Sequence, residues 1–204
     1  EQDNVDAILN VWFGGSEAAD AICDVLFGDV APAGRLTMTM PRTTGQVPIY
    51  YNHLNTGRPV PAGTKDFRKY ATNWLDNVND PLYPFGYGLT YTTFAYGKPS
   101  VTGSGRAFKA SVTVTNTGSR DAYEVVQLYV RDPVASIARP VKELKGFSRV
   151  LLKAGESKQV TFDLTEKDLS YYDAEGRMVF EPGQFDVMIG HDSSSLQTVS
   201  ITAE

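Results

Sequence analysis

The sequence predicts two structural classes in series, the tail of an α/β domain (a partial α/β sandwich) followed by an all-β antiparallel sandwich. Three observations predict them. A short apolar run, a helix-spaced segment and an alternating segment follow one another within residues 1–42. Residues 43–93 then lose all sustained period and are rich in Pro, Gly, Asn and Tyr. From 94 to 204, short alternating segments recur between turn signals at roughly the 8–12-residue spacing of a sandwich.

Each element has its own warrant. The run Ala7-Ile-Leu-Asn-Val-Trp12 reads as a buried parallel strand emptying into the turn Gly14-Gly15, with Ser16 as helix N-cap. Ala18, Ile22, Val25 and Leu26 recur at helical spacing, and Gly28 sits where a left-handed C-terminal glycine belongs. Leu36-Thr-Met-Thr-Met40 alternates and is closed by Pro41, which completes a β-α-β unit. A parallel sheet needs more than two strands and helices on both faces, so residues 1–42 read as the end of a larger domain whose front lies upstream. Residues 1–40 are expected to be the least stable part of the chain, with an exposed sheet edge.

In the linker, 47–51 is expected to form a short strand and 68–75 a helical turn. Strands are expected over 108–115, 123–131, 144–152, 159–164, 169–172, 178–180, 184–189 and 198–202. Along 123–131, Val125, Gln127 and Tyr129 fall on one face and Val126, Leu128 and Val130 on the other. Paired cysteines are absent, so a fibronectin type III-like sandwich fits better than an immunoglobulin domain. The strand aromatics, among them Phe108, Tyr129, Phe147, Tyr172 and Phe185, mostly follow core-type alternation.

Composition excludes much chemistry. The 204 residues carry a net charge of −5 with no basic block, which argues against a nucleic-acid partner. No apolar run approaches the roughly 20 residues of a membrane span. A single cysteine, Cys23, excludes an intrachain disulfide, and two histidines leave little for metal or histidine-based catalysis. No cofactor motif is present. Gly14-Gly15-Ser16 fails as a phosphate loop because no Gly-Lys-Ser/Thr follows, and Ser16 lacks a nucleophile elbow.

Three stretches together carry a resemblance. The first runs from Trp12-Phe-Gly-Gly-Ser-Glu17 through Gly28-Asp to Pro32-Ala-Gly-Arg-Leu36 and Met40-Pro41. The second is Leu82-Tyr-Pro-Phe-Gly-Tyr-Gly-Leu89 with Thr90-Tyr-Thr-Thr-Phe94, and the third joins Val114-Thr-Asn-Thr-Gly118, Arg139-Pro-Val-Lys-Glu-Leu-Lys-Gly-Phe147 and Glu181-Pro-Gly183. In this order they resemble the C-terminal part of family 3 glycoside hydrolases, and Val47-Pro-Ile-Tyr-Tyr-Asn-His-Leu-Asn-Thr-Gly-Arg-Pro59 is similar to the periplasmic bacterial β-glucosidases of that family.

The resemblance implies a multidomain retaining glycosidase, a β-glucosidase or β-xylosidase, with an Asp nucleophile on a barrel and an acid/base Glu upstream of the Trp12 motif. Neither position has a counterpart here, so no catalytic residue is carried over and the chain by itself is expected to be inactive. It also implies a β-glucoside or oligosaccharide substrate held by the full-length enzyme, a periplasmic location, no cofactor and no metal.

Candidate site residues remain. Asn52, His53, Asn55 and Arg58 place two amides, an imidazole and a guanidinium on one Gly/Pro-bounded loop, beside Tyr50, Tyr51 and Trp74. Planar polar groups with aromatic faces suit a sugar, so the loop is read as an active-site rim; the other reading is that these groups pin the linker through backbone carbonyls. Glu17 reads either as a carboxylate at a strand-to-helix turn or as a helix-dipole partner. Asp163, Glu166 and Asp168 read as a solvated turn, and His191-Asp192 as a polar loop. Residues 84–88 read as a rigid interdomain junction. The long loop 132–142 reaches back onto the preceding domain or forms a homodimer contact. The alternative for the whole chain is a carbohydrate-binding or protein-interaction sandwich without hydrolase activity, which requires a row of exposed aromatics.

Overall fold

The computed structural model describes residues 2–204. Helix α1 spans Ala18–Phe27 and stops at Gly28, whose φ of +85° lets its N–H return to the Val25 carbonyl at 3.2 Å. The helix lies as expected, but its cap differs: Glu17 occupies the cap position and gives no side-chain hydrogen bond, so Ser16 does not cap.

The two strands expected around α1 do not form. Residues 7–12 are exposed and irregular, because no segment among the described residues lies alongside to pair their N–H and C=O groups. Residues 36–40 join a different partner. Leu36 N–H donates to the Tyr87 carbonyl (2.8 Å), Met40 N–H to Tyr83 (2.9 Å), and Gly86 N–H returns to Leu36 (2.8 Å), an antiparallel clasp on the linker in place of a parallel strand.

The sandwich contains β1 (Phe94–Tyr96), β2 (Ser100–Ser104), β3 (Ala107–Asn116), β4 (Ala122–Arg131), β5 (Glu143–Leu152), β6 (Ser157–Leu164), β9 (Gly183–Gly190) and β10 (Leu196–Ala203). In the first sheet, β3 pairs with β1 and β2 along one side and with β6 along the other. The second sheet has the order β10-β9-β4-β5 and is antiparallel throughout. Period-two alternation sends Phe108, Ala110, Val112 and Val114 of β3 into the core, against Val126, Leu128 and Val130 of β4 and Phe185, Val187 and Ile189 of β9. Each large side chain so buried contributes roughly 1.5–3 kcal/mol.

The expected strand at 169–172 is split. Glu166–Leu169 forms a short helix, α2, because Thr165 and Asp168 make a capping box, with Thr165 N–H donating to Asp168 Oδ2 at 2.8 Å. Tyr171–Tyr172 (β7) then pairs with Met178–Val179 (β8) as a separate hairpin. The acidic turn is thereby used: Asp163 meets Lys109 (2.7 Å) and Glu166 meets Arg106 (3.1 Å). Two expected core aromatics, Phe147 and Tyr172, are exposed, at 69% and 66%.

The linker is held by side chains in place of regular structure. Residues 47–51 form no strand and 68–75 no helix, only a turn closed by Ala71 N–H on Arg68. Buried Gln46 donates to the Val78 carbonyl (2.8 Å) and accepts from Arg42 N–H (2.6 Å). Tyr51 stacks on Phe85 at 4.3 Å and meets Tyr129 edge-on at 5.7 Å. Gly86, at φ +81°, offers its carbonyl to Gln127 Nε2 at 3.0 Å, which makes 84–88 a tight junction against β4. Tyr91 and Arg120 tie the α1 end to the sandwich through the Val25 (2.6 Å) and Gly28 (3.4 Å) carbonyls.

Candidate functional site

The four candidate residues, Asn52, His53, Asn55 and Arg58, lie on one exposed segment that rides on loop 132–142. Val141 N–H donates to the His53 carbonyl at 2.9 Å, and Leu54 bridges Pro140. The loop therefore reaches back onto the linker. Backbone pairing at His53 and Leu54 sets the course of the segment.

The local bonds divide these side chains. Asn55 Oδ1 accepts from Gly57 N–H (3.2 Å), a turn whose glycine has φ +78°. Arg58 Nη1 donates to the Tyr70 carbonyl at 3.3 Å while its own carbonyl accepts from Thr72 N–H (2.9 Å). His53 Nδ1 lies 2.9 Å from the Leu54 carbonyl, which favours the tautomer protonated there. Asn52 has no side-chain partner among the described residues. Asn55 also lines a cavity of about 280 Å³ whose other walls belong to 131–141. Tyr50 (61% exposed) and Trp74 (42%) present free ring surface, whereas Tyr51 is committed to Phe85.

Loop 132–142 is riveted by charge. Arg139 lies 2.9 Å from Glu143 and 3.6 Å from Asp132, its guanidinium 4.9 Å above the Tyr171 ring. Tyr171 donates to Glu181 at 2.9 Å, and Glu181 accepts from Ser136 N–H at 2.8 Å. Burial raises the Asp132 carboxyl, while the Ser136 hydrogen bonds lower Glu181. Every carboxylate of this cluster is spent on holding the loop.

Of the remaining sequence candidates, the 191–192 loop has structural work. Asp192, 2% exposed, accepts from Ser194 (2.7 Å) and Ser195 (2.8 Å) N–H groups, and Ser193 N–H holds the Phe85 carbonyl at 2.9 Å. His191 sits beside it at 3.3 Å, a loop companion. Lys142 donates to the Ser193 carbonyl at 2.5 Å, and burial lowers its ammonium from the ordinary value. Glu17 stands exposed before α1. Sequence reasoning missed two features: the ion pair of Arg35 with Glu124 at 2.6 Å, and the cavity around Arg139 described below. The acidic residue within the apolar alternation of β4 was the available signal for the first.

Comparisons with known proteins match two stretches of the chain. Residues 1–91 match the model of the glycosyl hydrolase family 3 C-terminal domain, and residues 124–193 match that of the fibronectin type III-like domain. The chain is 46% identical to a periplasmic β-glucosidase of Salmonella typhimurium over 97% of its length and 26% of that protein's. It is 43% identical to a β-xylosidase of Formosa agariphila over 99% of its length, covering 28% of the relative. A crystal structure of a β-glucosidase from Listeria innocua in complex with glucose superposes with a TM-score of 0.92 at 42% identity, over 99% of this chain and 28% of that one. The chain thus spans about a quarter of the length of the relatives it matches.

Proposed function

Since the chain belongs to glycosyl hydrolase family 3, of which it carries the C-terminal domain and the fibronectin type III-like domain, we propose that it is the structural C-terminal part of a retaining β-glucosidase that releases terminal β-D-glucosyl residues. The observation that carries the reading is the 46% identity maintained over 97% of this chain but only 26% of a β-glucosidase. The catalytic carboxylates, about 5–5.5 Å apart in a retaining site, then belong to the other three quarters of the parent.

In this reading, residues 1–42 complete the α/β domain, 43–93 link it to the sandwich, and 94–204 brace the linker. Asn52, His53, Asn55 and Arg58 shape the rim of the substrate site, and their exposure together with the free faces of Tyr50 and Trp74 supports that role. The periplasm is the proposed compartment, after the Salmonella typhimurium relative's name. Self-association as a homodimer is assigned to the tip of loop 132–142, where Val134 is 84% exposed, and is read by sedimentation of the full-length protein.

The test is hydrolysis of p-nitrophenyl β-D-glucopyranoside by the 204-residue chain beside the full-length parent. Turnover by the parent alone supports the proposal. Turnover by the short chain overturns the placement of the carboxylates, and silence in both favours a non-hydrolytic binding module.

A further inference from the structure

A cavity of about 390 Å³ opens between loop 132–142, the start of β5, α2 and the β7–β8 hairpin. Arg139, Lys145, Lys167 and Glu143 line it, with Tyr172 and Met178. Three cations face one carboxylate, on a chain whose net charge is −5, so the cavity runs against the sign of the molecule around it. Arg139 is already held by Asp132 and Glu143. Lys145 reaches Glu143 only at 3.7 Å, and Lys167 has no ion-pair partner among the described residues. Lys167 is thus available to an incoming anion, and Lys145 can turn to it from a long pairing with Glu143.

The same walls offer a flat apolar surface. Tyr172 and Met178 are cross-strand partners on the hairpin, 66% and 50% exposed, with no protein segment laid over them. An aromatic ring beside a thioether suits the C–H face of a pyranose, and lysines at its edge suit a carboxylate on that ring. A bare phosphate or sulfate would use the lysines and ignore the ring.

We propose that this cavity binds carboxylated sugars, a hexuronic acid unit of an oligosaccharide, with Tyr172 and Met178 beneath the ring and Lys145 and Lys167 paired to the carboxylate. The site does not depend on the glucosidase reading, since no group in it is asked to do chemistry. It shares the wall formed by residues 137–140 with the cavity that Asn55 lines, so one loop borders both.

The experiment titrates the 204-residue chain, carrying Phe13→Ser and Phe27→Ser to keep it monomeric, with tetragalacturonate, cellotetraose and tetraglutamate by NMR chemical-shift perturbation and calorimetry. Binding of tetragalacturonate alone, weakened by raising salt from 50 to 300 mM, is the expected result. Lys167→Gln and Tyr172→Ala, both exposed positions, are each expected to weaken it about fivefold without shifting the thermal midpoint. Equal binding of cellotetraose overturns the role of charge. Equal binding of tetraglutamate overturns the role of the ring and points to an acidic peptide. Absence of binding at millimolar ligand, or binding indifferent to both substitutions, overturns the site.

Discussion

Arg35 Nη2 lies 2.6 Å from Glu124 Oε2, with the two side chains only 9% and 1% exposed. The pair joins the tail to the sandwich: Arg35 also donates to the Gly88 carbonyl (2.7 Å), and Glu124 Oε1 accepts from the Tyr96 hydroxyl (2.7 Å). Burial is the first cause that drives the Tyr96 phenol well above its ordinary value, with the Glu124 charge next, so its proton stays on. Removing one partner leaves the other charged and dry. Arg35→Ala or Glu124→Ala is expected to cost about 3–5 kcal/mol, whereas the double change to Met and Leu costs clearly less. Urea unfolding followed by circular dichroism separates the two cases.

Gly86 is the tightest point of the junction. Its φ is +81°, and an added Cβ would strike the Gln127 amide. Gln127 cannot retreat, because its Nε2 donates to the Gly86 (3.0 Å) and His191 (2.6 Å) carbonyls while Tyr129 donates to its Oε1. Gly86→Ala is expected to cost about 2–4 kcal/mol, through left-handed strain and the lost amide bonds together. Gly57→Ala, with φ +78° but open space around it, is expected to cost only about 1 kcal/mol. Thermal melts of the two variants test the difference.

Acid should loosen loop 132–142 through Glu181. Its folded value is held below that of the unfolded chain, by hydrogen bonds from Ser136 foremost. A depressed carboxyl contributes stability that is present above the unfolded value, about pH 4–5, and is lost as pH falls through the folded one. Asp132 acts oppositely: burial raises it, so its charged form costs stability above the raised value and protonation relieves that cost. Glu181→Gln is therefore expected to flatten the acid limb of the stability curve, and hydrogen exchange at Ser136 across pH 3–6 reads it locally.

The proposed rim residues should separate function from folding. Asn52 and Arg58 are exposed, so Asn52→Ala and Arg58→Ala are expected to change stability by less than about 0.5 kcal/mol. In the full-length parent each is expected to raise KM for a β-glucoside about fivefold with kcat nearly unchanged, the mark of lost uniform binding. An unchanged KM for both would reduce the segment to a linker clamp.

The tail should make the isolated chain associate. Phe13 is fully exposed, Phe27 is 82% and Leu26 62% exposed, and α1 buries none of its residues. Contiguous apolar surface of this kind drives self-association. Light scattering is expected to show oligomers at micromolar concentration, and Phe13→Ser with Phe27→Ser to shift the chain toward monomer.

What the sequence determined by itself was local. Period-two alternation placed β3 and β4, Gly28 ended α1, and turn glycines separated the strands, because each pattern reports the geometry of a single element. What alternation cannot say is which face meets a partner. Phe147 and Tyr172 alternate like core residues yet are exposed, since no layer lies over them. Residues 7–12 have strand character and no ladder, while 36–40 find theirs in 82–87. Only the tertiary structure set Glu124 against Arg35 across 89 positions, and brought Arg139, Lys145, Lys167 and Tyr172 to one cavity. Such contacts follow from how the sheets stack and where the linker crosses them, long-range choices that no single window of sequence encodes.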